Sequence, residues 1–376
     1  MRVPFVDLAL MHAEIATELD GIWEAMRRSG KFIGGEAVER FEREWASRCH
    51  TRHSVGVSSG TAALELCLRA FGVGRGDEVI VPANSFIATA AVVAAVDAVP
   101  VFVDVDPGTL LMTAEAVEAS LSPRTAAIIV VHLYGQVVDI RGIARVAARA
   151  GVLCIEDAAQ AHGATWEGRP VGGLVDAGCF SFYPSKSLGA FGDAGAVTTN
   201  DFAVAERVRS LSNHGRTPSR PEIHTSLGGN HRLDALQAAI LSVKLRRLDD
   251  WIRRRRQIAA WYRERLRGLP VVLLEQVAGT APAQSLAVVQ VDDRDRIRSE
   301  LRHAGIDTAV HYPVPCHKQP AFASTAQRLL PISERAAARV LSLPMFPHLT
   351  EMMVDRVVEA LTHATLERHT SMRQVS

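Results

Sequence analysis

The chain has 376 residues, 48% hydrophobic and 22% charged, and its 42 Lys and Arg against 41 Asp and Glu leave a net charge of +1. That length can bury a large core and exceeds one ordinary domain, so a larger domain over 1–245, with an N-terminal helical segment, and a smaller one over 246–376 are expected. The balanced charge gives no reason to expect nucleic acid or an anionic membrane as partner, and five scattered cysteines without a CxxC pair exclude a disulfide framework or zinc site and suit a reducing cytoplasm.

Residues 1–30 read as an extended start followed by a helix bearing Ile15, Leu19, Ile22, Trp23 and Met26 at helical spacing. The Gly34 and Gly35 pair then turns the chain into a second helix. SVGVSSGTAALELCLRA (54–70) reads as strand, turn and helix. Ser58 to Thr61 lies where the first helical N–H groups lack partners, so this turn either caps itself through Ser59 or Thr61 or holds a phosphate. The glycines of 72–76 follow a helix and precede a strand, the reverse of a dinucleotide-binding loop. A helix is expected from Asn84 to Phe86 onward. The most apolar run, 90–103, is broken by Asp97 and Pro100 and is too short to span a bilayer. Strands near 99–105 and 126–131 alternate with helices near 114–120 and 140–150, which predicts an α/β fold with a mostly parallel, mixed sheet covered on both faces.

VLCIEDAAQAHGA (152–164) begins as an apolar strand and ends in acidic and amide side chains, with Asp157 at the strand's carboxyl end. Ligands of open α/β sheets bind at that edge. CFSFYPSKSLGAFGDAG (179–195) then puts Lys186 in a loop between two short strands, crowded by Phe180, Phe182, Tyr183, Leu188 and Phe191. A desolvated amine loses proton affinity and becomes a nucleophile toward carbonyls, the property of a Schiff-base lysine. A lysine for an aldehyde, an acid for a pyridine nitrogen, a phosphate cradle and an aromatic wall are the four parts of a pyridoxal phosphate site, and all four are present.

Residues 213–229 are rich in Pro, Gly, Arg and His without periodicity and read as an irregular functional loop. Asn230 and Arg232 precede a long amphipathic helix, 233–269, whose RRRR run at 253–256 reads as a solvated face. Strands near 271–274 and 286–291 and a helix over 294–304 make a small α/β unit. His311, Cys316 and His317 do not read as metal ligands, because Pro313 and Pro315 interrupt them and no acidic partner is near.

Four motifs in order, SSGTAAL (58–64), PANSFIATA (82–90), EDAAQAHG (156–163) and FSFYPSKSLGAFGDAG (180–195), resemble the DegT/DnrJ/EryC1/StrS family of sugar aminotransferases. The likeness runs nearly end to end, from PFVDL (4–8) through HYPVPCHKQPAF (311–322) to LSLPMFP (341–347). It implies a fold-type I transferase that uses pyridoxal 5'-phosphate, converted to pyridoxamine 5'-phosphate in the aminated half-reaction. By this resemblance Lys186 joins the cofactor aldehyde, Asp157 faces the pyridine nitrogen, Phe86 stacks on the ring and Gln160 orients its phenolic oxygen. Gly60, Thr61, Ala62 and Ser181 hold the phosphate, joined by Asn230 from the neighbouring subunit of a homodimer. His162 falls beside the cofactor or in the core. Gly34, Tyr183, Arg232, His311, Tyr312 and His317 are the implied substrate contacts.

The implied reaction moves an amino group from an amino acid, glutamate foremost, to a nucleotide-linked keto-deoxysugar. FYPSKSLGAFGDAG resembles members acting on 3-keto-6-deoxyhexoses, while Asp193, Ala194 and His231 depart from the commonest family form. Amination at C4, aminocyclitol or aminobenzoate-type synthesis and sugar dehydration are the alternatives, although the dehydratases carry histidine where this chain has Lys186. A non-catalytic regulatory relative would have a damaged lysine, aspartate or phosphate loop, and all three are intact.

Overall fold

The computed structural model describes residues 2–217, 220–325 and 328–373. Short runs of β-branched and small apolar residues form the main sheet: β1 (His53–Val57), β2 (Glu78–Pro82), β3 (Val99–Val103), β4 (Thr125–Val131), β5 (Leu153–Asp157), β6 (Ala177–Ser181) and β7 (Gly195–Thr199). Their spatial order is β1-β7-β6-β5-β4-β2-β3. All run one way except β7, which is antiparallel to β1 and β6. The carboxyl ends of β1, β2, β4, β5 and β6 therefore share one edge with the amino end of β7.

Successive strand residues point to opposite faces, and both faces are buried. Val79, Val81, Ile129, Cys179 and Val197 enter one core cluster. Their neighbours Ile80, Ile128 and Val130 enter a second, and Phe180 and Ala196 a third. Glycine decides how tightly the ligand edge closes. A Cβ on Gly195 would lie 2.3 Å from the Ser59 carbonyl oxygen, and one on Gly60 would lie 2.6 Å from the Ser181 Cβ. Only residues without side chains let β6, β7 and the turn after β1 meet there.

Beyond the main sheet, Val272–Leu273, Ala287–Gln290 and Val340–Leu343 form a three-stranded antiparallel sheet. Its core includes Val289, Leu301, Leu341, Val357 and Leu361. Val3 joins that core by pairing with Ile306, so the chain's start packs with its last third.

Several expectations are corrected. The helix read over 233–269 is two helices, Ala235–Leu245 and Leu248–Arg265. The RRRR run is not uniformly solvated: Arg255 is buried, and its Nη1 donates to the carbonyls of Ser285 at 3.3 Å and Met345 at 3.0 Å. The helix expected from Asn84 starts only at Ala88, leaving Phe86 in the preceding turn. The loop at 213–229 contains a short pairing of Arg216–Thr217 with Arg220–His224. Among the described residues no helix is long and apolar enough to cross a membrane, and no group of three or more His, Cys, Asp or Glu could hold a metal ion.

Candidate active site

A cavity of about 400 Å³ opens on the shared sheet edge. The helix Gly60–Ala70 points its amino end into it, because the chain leaves β1 through Ser58 and Ser59 straight into the helix. The Ser59 hydroxyl accepts from the Ala62 amide at 3.0 Å. Self-capping thus occupies one first-turn amide, and the amides of Gly60 and Thr61, which precede it, have no acceptor inside the helix. Thr61 is exposed to the cavity and Ser181, at the end of β6, faces it from across the turn. Two free amides, two hydroxyls and a helix dipole suit a phosphate.

Asp157 ends β5 and lines the same cavity. Its carboxylate is buried and accepts from the Thr89 hydroxyl at 2.8 Å and the Ala159 amide at 3.2 Å. Burial pushes its pKa up, while Thr89, Ala159, Lys186 and His132 pull it back. A buried carboxylate with so few donors is matched to a cationic N–H. Lys186 shares the cavity from the loop between β6 and β7. Its amide donates to the Tyr183 carbonyl at 2.9 Å, and the flanking Phe182 and Leu188 are buried. Burial lowers the Lys186 pKa and Asp157 opposes that shift. Phe86 stands half exposed at the mouth with its ring 5.6 Å from that of Tyr312. The donor set fits pyridoxal phosphate, with an amine, an acid, an anion cradle and an aromatic wall around one space.

A dTDP-3-amino-3,4,6-trideoxy-alpha-D-glucose transaminase of Streptomyces venezuelae is 44% identical over 364 residues, covering 96% of this chain and 95% of its own. A UDP-N-acetyl-3-dehydro-alpha-D-glucosamine 3-aminotransferase of Acidithiobacillus ferrooxidans is likewise 44% identical, over 96% and 97% of the two chains. The crystal structure of S. venezuelae DesV in complex with a ketimine intermediate matches with a TM-score of 0.94 at 44% identity, covering 96% of this chain and 98% of that one. The profile of the DegT/DnrJ/EryC1/StrS aminotransferase family matches residues 13–362. The chain belongs to this family.

It is accordingly a fold-type I aminotransferase that depends on pyridoxal phosphate. In this DegT/DnrJ/EryC1/StrS enzyme the cavity wall includes Gly60, Thr61, Phe86, Asp157, Gln160, Ser181, Tyr183, Lys186, His311 and Tyr312, all expected from the sequence. Gln160 is already engaged: its Oε1 accepts from the Tyr134 amide at 2.6 Å and its Nε2 donates to the Tyr312 hydroxyl at 3.1 Å. Tyr134 in turn donates to the His311 carbonyl at 2.7 Å, tying the HYP segment to the end of β5. His311 Nδ1 lies 2.8 Å from the Ser342 hydroxyl, and burial pushes the ring down to about 4, so it stands neutral.

Other expected residues lie elsewhere. His317 does not face the cavity: it is buried, its Nε2 lies 3.1 Å from Glu334, and its ring is beside Phe102. Nor does His162 reach the wall. It is packed among Trp45, Phe180 and Phe182, and burial pushes it down to about 3, so it is a neutral core histidine. Ala62 is buried behind the first helical turn. Gly34 sits in a turn whose neighbour Ile33 pairs with Asp234, and Arg232 Nη1 donates to Asn213 at 2.7 Å; neither lines the cavity. Asn230 is exposed, pairs with Asn213 and is not on the cavity wall.

Reading the chain in order assigns no role to Thr89, a hydroxyl inside the apolar helix Ala88–Ala95 that touches Asp157 across 68 positions of chain. A hydrogen bond to a charged acceptor contributes about 1.5–3 kcal/mol. Thr89→Val, which keeps the shape, is expected to lower kcat by roughly 10- to 100-fold and to lower the melting temperature by a few degrees. Steady-state turnover of the variant within threefold of the parent enzyme would show that Thr89 does not tune Asp157.

Proposed function

We propose that this enzyme transfers the amino group of an amino acid, glutamate first among candidates, to the 3-keto carbon of a nucleotide-linked 6-deoxyhexose. The reading is carried by the meeting of Lys186 and Asp157 in one cavity beside a helix amino end. The choice of C3 is supported by the S. venezuelae and A. ferrooxidans relatives, whose names both specify a 3-amino sugar although their nucleotides differ.

In this reading Asp157 anchors the pyridine nitrogen, Phe86 covers the ring, and Thr61, Ser181 and the amides of Gly60 and Thr61 hold the phosphate. Bound there, the cofactor supplies a reactive carbonyl and an electron sink. Lys186 Nζ, its proton affinity lowered by burial, takes the proton from the donor's α-carbon and later delivers one, acting as base and then acid. Tyr183, His311 and Tyr312 border the space left for the sugar. Gln160 holds the Tyr312 hydroxyl, which keeps its own proton free to donate into that space.

The reading includes a homodimer in which Asn230 completes the neighbour's phosphate site. It is supported by the exposure of Asn230, which does not line its own cavity. Exposed Trp23, Phe32 and Ile33 in the chain's first third suit burial against a second copy. A cytoplasmic location is supported by five buried free cysteines. A domain boundary near residue 245 is supported by the separate core around the three-stranded sheet.

The deciding experiment offers the enzyme glutamate and a panel of 3-keto and 4-keto dTDP- and UDP-sugars, with amino-sugar formation followed by mass spectrometry. A 3-keto substrate is expected to be used at least tenfold more efficiently than its 4-keto isomer. The reverse preference would overturn the C3 assignment, and amination of no keto-sugar would overturn the substrate class.

A further inference from the structure

The helix Ala235–Leu245 carries a buried ammonium that the chemistry above does not use. Lys244 is fully buried. Its Nζ donates to the Gly189 carbonyl, lies 3.5 Å from His12 Nε2, and stands 5.4 Å from the centre of the Phe191 ring. The Phe191 ring itself packs 4.4 Å from the His12 ring. No carboxylate among the described residues pairs with this lysine, and burial alone pushes its pKa down to about 8. An apolar side chain of the same length would fill the site without the cost of burying an unpaired cation. What an apolar side chain could not do is reach the Gly189 oxygen with a donor.

Gly189 lies three residues beyond Lys186, in a turn folded tightly on itself. A Cβ on Gly189 would sit 2.3 Å from the Pro184 carbonyl oxygen and 2.9 Å from that of Tyr183. The Lys186 amide donates to that same Tyr183 carbonyl at 2.9 Å, and the Ala190 amide returns to Phe182 at 2.8 Å. Fixing the Gly189 carbonyl therefore fixes both ends of the turn. The same helix grips the turn's exit, where Gln237 Oε1 accepts from the Phe191 amide at 2.7 Å. On the other side the Ser187 hydroxyl lies 2.9 Å from that of Ser285, which donates to the Gln160 carbonyl.

We infer that Lys244 is a positioning residue for Lys186, holding through the Gly189 carbonyl the turn that carries the reactive amine. This rests on the reading that Lys186 carries the cofactor. A displacement of about 1 Å in a reacting group is enough to cost on the order of 100-fold in rate. The other grips, Gln237 and Ser187, would keep the turn folded while leaving its centre loose.

The test is made on the full-length holoenzyme with Lys244→Met, alongside Gln237→Leu as a comparison grip. The methionine variant is expected to keep its melting temperature within a few degrees, since it loses a hydrogen bond but also an unpaired buried charge. Its kcat should fall by roughly 10- to 100-fold with KM for the amino donor changed less than threefold. The apoprotein should also take up pyridoxal phosphate about tenfold more slowly, followed by cofactor absorbance, and the pH at which the bound cofactor changes absorbance should move by at least about half a unit. Parental uptake rate, titration pH and kcat in Lys244→Met would overturn the inference. So would a loss of kcat with uptake and titration unchanged, because a positioning role must alter the amine itself. Should the methionine variant fail to fold, Lys244→Gln, whose side chain is one bond too short to bring its donor to the Gly189 oxygen, is measured in the same way: slowed uptake and a shifted titration support the inference and parental values overturn it. Borohydride fixation and peptide mass separate this from the prior reading. Cofactor fixed on a residue other than Lys186 in the parent enzyme removes that reading, whereas fixation on Lys186 with an unaffected Lys244→Met removes only the role of Lys244.

Discussion

Lys186→Ala is expected to abolish amino transfer, lowering kcat by at least about 10⁴-fold, because one residue serves as covalent anchor and as proton carrier and general acid–base catalysis alone contributes about 10²–10⁴-fold. The fold should survive. The amine makes no side-chain hydrogen bond among the described residues and stands in a cavity rather than in packed core, so its removal orphans no buried partner. The variant should still collect the cofactor through the phosphate cradle and Asp157, but borohydride should leave nothing fixed to the protein. Small exogenous amines should restore part of the lost rate, since they can carry the proton without supplying the anchor. Turnover above a tenth of the parental rate would remove Lys186 from its assigned place.

Asp157→Asn is expected to cost between about a hundredfold and a few thousandfold in kcat, as breaking a buried charge pair from one side costs about 3–5 kcal/mol. Here too the structure provides for a folded variant. The Thr89 hydroxyl lies 2.8 Å from both Asp157 and the Ser85 hydroxyl, so it can turn to accept from the new amide and donate to Ser85. Removing a desolvated carboxylate whose pKa burial already raises should leave the melting temperature equal or higher. The loss would then be chemical, visible as weaker cofactor retention on dialysis and a low kcat at ordinary donor KM. An asparagine variant within tenfold of the parent would mean that the charge at the end of β5 is not what activates the cofactor. Asp157→Glu should not rescue fully, because the longer side chain must leave either Thr89 or the Ala159 amide behind.

Most of the cavity was legible in the chain because its parts are local. Ser58 to Thr61, Asp157 and Ser181 each end a strand, and a strand's end is marked in sequence by the change from apolar alternation to hydroxyls, glycines and acids. The parallel arrangement then brings those ends to one edge without further instruction. What failed did so for equally definite reasons. His317, placed by the resemblance among the substrate contacts, lies beside Glu334 and Phe102 and is not on the cavity wall. Arg255 lies in a run of four arginines whose helical period turns just one of them inward to the Ser285 and Met345 carbonyls. The apparent single helix at 233–269 kept its apolar spacing across a break that only packing reveals.

From the amino-acid order alone follow the alternation of strands and helices, the site's lysine, acid and phosphate turn, and the family with its cofactor, since these depend on residue types within a few positions of one another. The folded chain alone decided that Thr89 supports Asp157 and Lys244 reaches Gly189, and that Val3 packs with the last third of the chain. Those contacts join positions far apart in sequence, and none of the three side chains carries in its own neighbourhood any mark of the partner that burial brings to it.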